Sequence, residues 1–133
     1  MSENLSQGYS NYSEDFEYNN PYAHSSHPSN LLMTVQNCEA TCEHMTTFLK
    51  CRKDIQSRVI QLQLLRDCAD ICTLTAKYIA RNSGFSKCIA NLCAYICEIC
   101  GTECSKFPDP ESQNCAQVCL HCARECRAFA MIP

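Results

Sequence analysis

Two stretches of the chain repeat cysteine at one spacing. Cys93, Cys97, Cys100 and Cys104 fall at offsets 0, 4, 7 and 11, and Cys115, Cys119, Cys122 and Cys126 repeat that pattern. The same frame, more thinly filled with sulfur, runs through Cys38, Cys42, Met45 and Leu49, and again through Cys68, Cys72, Thr75 and Ile79. Steps of four and three in alternation mark the inward stripe of a bundled helix, where leucine ordinarily stands. Here thiols occupy the stripe. With Cys51 and Cys88 they bring the total to 14 cysteines in 133 residues, a share that sets the chain apart from ordinary globular proteins.

The spacing narrows what these thiols can do. Residues i and i+4 of a helix hold their Cβ atoms about 5–6 Å apart, whereas a disulfide needs roughly 3.8 Å, so neighbours on one helix cannot bridge without breaking it. Bridges between helices would leave the paired spacing unexplained. Inert packing explains one or two buried cysteines, but a whole stripe of side chains smaller than leucine leaves voids costing about 1 kcal/mol per missing methyl. Metal is the alternative. Soft thiolates select Cu(I), Zn(II) or iron–sulfur clusters. Four thiolates on Zn(II) leave a net charge of about −2, and several such sites in one dry core are costly. Cu(I) accepts two or three thiolates, and when each thiolate bridges two ions one Cu(I) replaces one S–H proton and the core stays neutral. Iron–sulfur ligation is the rival, through Cys97-x2-Cys100 and Cys119-x2-Cys122, yet the bacterial Cys-x2-Cys-x2-Cys-x3-Cys-Pro run is absent. All fourteen, Cys38, Cys42, Cys51, Cys68, Cys72, Cys88, Cys93, Cys97, Cys100, Cys104, Cys115, Cys119, Cys122 and Cys126, are candidate ligands for multiple Cu(I) ions.

The elements that must carry the stripes are helices. From Leu31 onward apolar residues recur at helical spacing and no run alternates as a strand would. The punctuation predicts helices over about 31–52, 57–82, 86–106 and 110–131. Ser29 or Asn30 is a candidate cap for the first, Asp54 or Ser57 for the second, and Ser86 or Ser83 for the third. Asn82-Ser83-Gly84 reads as a left-handed stop, and Asp109-Pro110 as an N-cap followed by proline at the first helical position. Short connections make this an all-α, antiparallel up-down four-helix bundle with a cysteine-lined core. At 1.5 Å per residue the stripes stack into a column. Cys51, Cys104 and Cys115 fall at one end, most other cysteines at mid-height, and Cys88 nearest the far end with Met33 and Met131. His44 and His121 point away from the seam.

Residues 1–30 form a separate segment. They carry Glu3, Glu14, Asp15 and Glu17 with no lysine or arginine, four tyrosines, and no cysteine, a composition expected of a disordered or loosely attached arm. His24 and His27 there make a poor metal site. The net charge of −3 provides no basic patch for nucleic acid, and no apolar run approaches the ~18 residues of a membrane span. A basic n-region followed by an apolar h-region is not seen, which predicts a cytoplasmic, reducing location. No Glu-x-x-His di-iron motif or Ser/His/Asp set is assembled, so no enzyme is expected.

A bundle with Cys-x3-Cys on every helix, and Cys-x3-Cys-x2-Cys-x3-Cys on the last two, resembles the bacterial copper storage protein family over residues 31–133. The resemblance implies storage of many Cu(I) ions by core cysteines in a homo-oligomer, often a tetramer; a copper chaperone is a candidate donor. The first two helices hold fewer seam cysteines, which lowers the expected capacity. An iron–sulfur or redox protein and a cysteine-cross-linked structural protein are the competing readings.

Overall fold

The computed structural model describes residues 29–133; the arm expected over 1–30 therefore lies outside the described residues, apart from its last two positions. Among the described residues four α-helices, α1 (Ser29–Lys50), α2 (Val59–Ala80), α3 (Ser86–Cys104) and α4 (Pro110–Ala130), follow one another, with a 3₁₀ turn at Ile55–Arg58. Each helix packs on its two neighbours, α1 on α2 and α4, and α3 on α2 and α4, while the diagonal pairs make no close backbone approach. This is the expected up-down bundle. No strand occurs among the described residues.

The helix ends show which side chains stop each element. α1 begins at Ser29, so Ser29 and Asn30 lie inside it rather than capping it. Asp54 stands at the N-cap of the 3₁₀ turn but caps nothing with its side chain. Its carboxylate is taken by Arg52 (2.7 Å) and Arg58 (3.1 Å) instead. α2 ends in a Schellman motif: Ser83 N–H donates to the Tyr78 carbonyl (2.9 Å) and Asn82 N–H to that of Ile79 (3.0 Å). The left-handed residue is Asn82, with φ 56°, and not Gly84. Phe85 occupies the N-cap of α3 without a side-chain bond, and Ser86 stitches the turn by donating to the carbonyls of Tyr78 and Ser83. Asp109 behaves as read: its backbone is extended before Pro110 and its carboxylate accepts the Ser112 N–H at 2.9 Å.

The buried seam continues the stripe beyond the cysteines. On α1 it runs Leu31, Val35, Cys38, Cys42, Met45, Leu49, and on α2 Gln61, Leu65, Cys68, Cys72, Thr75, Ile79. On α3 it runs Ser86, Ala90, Cys93, Cys97, Cys100, Cys104, and on α4 Ser112, Cys115, Cys119, Cys122, Cys126. Small residues beside the seam bring the two richest helices together. A Cβ at Gly101 of α3 would stand 2.8 Å from Leu120 Cγ and 3.1 Å from the Ala116 carbonyl oxygen on α4. Only glycine lets the backbones approach this closely there, and buried Ala94, Ala116 and Ala123 extend the narrow face. Close α3–α4 packing is what holds two four-cysteine stripes within sulfur contact.

Candidate metal centre

Twelve of the fourteen cysteines are buried and none is in a disulfide. Cys38 of α1 lies 3.9 Å from Cys68 of α2, 4.0 Å from Cys97 of α3 and 3.9 Å from Cys119 of α4, sulfur to sulfur. One thiol therefore touches all three other helices. Cys42–Cys119 and Cys68–Cys97 are closer still, at 3.5 Å. Cys72 stands 3.8 Å from both Cys93 and Cys97. Along single helices, Cys93–Cys97 (3.7 Å), Cys115–Cys119 (3.9 Å) and Cys122–Cys126 (3.9 Å) close the i, i+4 gap by rotamer choice alone.

These contacts resolve into three groups whose sulfurs all lie within 4.8 Å of one another: Cys38/Cys42/Cys68/Cys119, Cys38/Cys72/Cys97/Cys122, and Cys93/Cys122/Cys126. Cys38 belongs to the first two and Cys122 to the last two, so the groups form one chain of shared corners. Cys100 joins the chain through Cys119 at 4.0 Å, and Cys115 through the same residue. Cys51 and Cys88 are exposed and lie apart from the buried column. The sequence reading set them at the two ends of the column; the structure leaves both outside it, because neither falls on a four-three step of the seam. Met33 and Met131, at 67% and 76% exposure, stand on the outside, as do His44 and His121.

A metal–thiolate bond of about 2.3 Å puts sulfurs about 4 Å apart around a three-coordinate ion. The observed 3.5–4.0 Å contacts already match that spacing, with no backbone movement required. A tetrahedral ion fits nearly as well, so distance does not separate copper from zinc; charge does. The seam residues that flank these groups are uncharged, and a string of dianionic zinc sites would have nothing to balance it, whereas bridged Cu(I) thiolates are neutral. The same close contacts leave no room for the sulfide and iron body of a cluster.

The two ends of the column differ. At one end Leu31, Val35, Ile79 and Ala90 close the seam with hydrocarbon. At the other, Arg58 is 2% exposed and spends its guanidinium on Asp109 (2.8 Å), Asp54 (3.1 Å), Gln61 Oε1 (3.0 Å) and Ser112 Oγ (3.3 Å), over the Phe107 ring at 4.0 Å. Gln61 Nε2 in turn donates to Ser112 Oγ (2.9 Å) and Cys104 Sγ (3.5 Å). Burial pushes the Asp109 carboxyl up, but Ser112 and Arg58 more than offset that and hold it below the usual carboxylate range. Sequence reading missed this network. Its only signal was Gln61, which sits one heptad before Cys68 on the same stripe.

Inside the column, protons are shared between thiols. Cys104, Cys119 and Cys42 beside it lower Cys100 to about 7, with Cys119 donating to it at 4.0 Å, while the same proximity pushes Cys104 and Cys42 up. A buried thiol beside an ionised neighbour keeps its proton until a cation replaces it.

Known proteins resemble this chain in sequence and fold. The profile of the copper storage protein family matches residues 24–131. The cysteine-rich protein YhjQ of Bacillus subtilis (strain 168) is 43% identical over 72 residues, 53% of this chain; that match spans 65% of its own length, a little under two thirds. Among solved structures, the Cu(I)-bound copper storage protein BsCsp3 superimposes with a TM-score of 0.74 at 37% identity, over 77% of this chain and 96% of that one. The metal-free copper storage protein 3 of Bacillus subtilis gives 0.71 at 38% identity, over 77% of this chain and 97% of that one.

Proposed function

The chain belongs to the copper storage protein family, and from that premise we propose that its buried cysteines hold multiple Cu(I) ions as a cytoplasmic store and not as part of an enzyme. The observation that carries this reading is the chain of shared thiol corners at 3.5–4.0 Å. Twelve buried thiols are the proposed ligands within the column. Cys51 and Cys88 are proposed to bind only from outside it, as points of thiol exchange with a copper chaperone donor. No helix among the described residues is long and apolar enough to cross a membrane.

Anaerobic titration of the reduced protein with Cu(I), against a competing chelator, tests the reading. The expected endpoint is roughly one ion per buried thiol, with zinc failing to compete. An endpoint at one or two ions, or a preference for zinc, would sink it. Because each ion displaces about one proton from the thiol column, the sign of the pH effect is fixed. Acidification favours the metal-free state, and apparent affinity per ion falls by about tenfold for each pH unit lost.

We also propose a homo-oligomer. Ile71, Leu74 and Ile96 line an apolar groove of about 260 Å³ between α2 and α3, and Leu92, Tyr95 and Ile99 are exposed beside it on α3. Light scattering is expected to give a multiple of the 15.0 kDa chain mass, reduced towards one chain by a Leu74→Glu/Tyr95→Glu variant. A native particle of single-chain mass would rule this out.

A further inference from the structure

Thr75 is fully buried, and its Oγ1 is the one buried side-chain oxygen or nitrogen among the described residues that lacks a hydrogen-bond partner. Helical threonines ordinarily have an easy remedy, since the hydroxyl can donate to the carbonyl four residues back. Thr34, Thr73 and Thr102 do so here, at 2.9, 2.9 and 2.8 Å. Thr75 does not, although it sits in the same kind of helix. Leaving a buried hydroxyl unpaired is unfavourable, so the missing bond calls for a reason.

Its place in the seam supplies one. Thr75 follows Cys72 by three residues on α2, and Cys126 follows Cys122 by four on α4. Cys72 and Cys122 share one thiol group, and in an up-down bundle α2 and α4 run the same way. Thr75 and Cys126 are therefore each one step of roughly 5 Å beyond that group, at the apolar end of the column. The outermost group, Cys93/Cys122/Cys126, has three thiols where the other two have four. Its sulfurs come from α3 and α4 alone; α2 reaches it through Cys72, 3.8 Å from Cys93, and carries buried Thr75 one seam step further along, as α1 carries buried Val35 one step beyond Cys38.

We infer that the Thr75 hydroxyl is a positioning residue for the terminal thiol group, donating a hydrogen bond to a thiolate of Cys93/Cys122/Cys126 once Cu(I) has displaced its proton. A thiolate in mid-column is shared by ions on both sides, but one at the end has ions on one side only and keeps uncompensated negative charge. An O–H donor is the neutral group that can stabilise that charge in a site walled by Leu31, Val35 and Ile79. In the metal-free protein the hydroxyl goes unpaired. This rests on the Cu(I)-storage reading above.

The test compares the wild type with Thr75→Val, which keeps the shape and deletes the hydroxyl, and with Thr75→Ser, which restores it. Metal-free Thr75→Val is expected to melt at or above the wild-type temperature, since an unpaired polar group has gone. Its last few equivalents of Cu(I) are expected to bind about tenfold or more weakly in chelator competition, and to be lost on acidification at a higher pH than in the wild type. Thr75→Ser recovers most of both. A full wild-type isotherm on which Thr75→Val superimposes, at every equivalent and every pH, overturns the role of Thr75 while leaving storage intact. A wild-type isotherm ending at one or two ions removes storage and the role of Thr75 together.

Discussion

Replacing Cys38 and Cys122 together by serine is expected to abolish most tight Cu(I) binding while the bundle still folds. The reason is connectivity. Cys38 is the corner common to two thiol groups and Cys122 the corner common to two, so the pair touches all three groups. Substitution of an outer-shell partner alone costs about 10- to 100-fold in metal affinity, and removal of a directly bound thiolate costs more. Serine is smaller than cysteine by little, and its hydroxyl can donate to the remaining thiols, so helicity should be retained. The endpoint of a chelator-buffered titration is expected to fall by well over two ions. Cys51→Ser/Cys88→Ser, which deletes the same number of thiols from exposed positions, is expected to leave it nearly unchanged. Equal losses in the two double variants would show that the ions do not occupy the buried column.

The second large effect concerns stability. Arg58→Met keeps a flexible chain over Phe107 but deletes every charged contact, leaving the Asp109 carboxylate, 8% exposed, and the Gln61 amide oxygen without the guanidinium. Removing one partner of a buried ion pair typically costs about 3–5 kcal/mol, and a loss near the lower bound is expected because Asp54, at 41% exposure, can rehydrate. That corresponds to roughly 11–14 °C in melting temperature for a domain of this size. The effect has a pH signature. The folded Asp109 carboxyl is held below its usual range, so its contribution is fully present above the unfolded value of about 4 and is lost as pH falls through the depressed folded value. The gap between wild type and Arg58→Met should therefore narrow in acid. A gap that is absent at neutral pH, or unchanged below pH 3, would show that the network contributes no electrostatic stability.

Much of the site could be read from the chain because helical periodicity is a local property. The 0, 4, 7, 11 spacing of cysteine placed twelve thiols on seam faces, and the structure buries all twelve. Asp109 before Pro110 and the Asn82-Ser83-Gly84 stop were legible for the same reason, since caps and turns depend on a few adjacent residues. The detail that failed at the stop is instructive. Glycine is the usual left-handed residue, but the two Schellman bonds from Asn82 and Ser83 fix the reversal at Asn82. Asp54 failed as a cap for another reason: two arginines, one brought back from the next turn, compete for its carboxylate.

Sequence by itself determined the fold class, the inward direction of the twelve seam cysteines, and the chemical preference of a soft, charge-neutral core for a monovalent cation. Those follow from residue type and from spacing along one helix. Tertiary structure alone decided which thiols share an ion-sized space, that Cys38 and Cys122 are common corners, and that Arg58 and Gln61 close one end of the column. It also decided that Thr75 is buried on the seam with its hydroxyl unpaired. Each of these depends on the relative height of helices joined by connections whose length does not fix it. That height is settled by long-range packing, such as the approach of α3 to α4 across Gly101, and a shift of a single residue along one helix would exchange every cross-helix partner while leaving the periodicity of the sequence untouched.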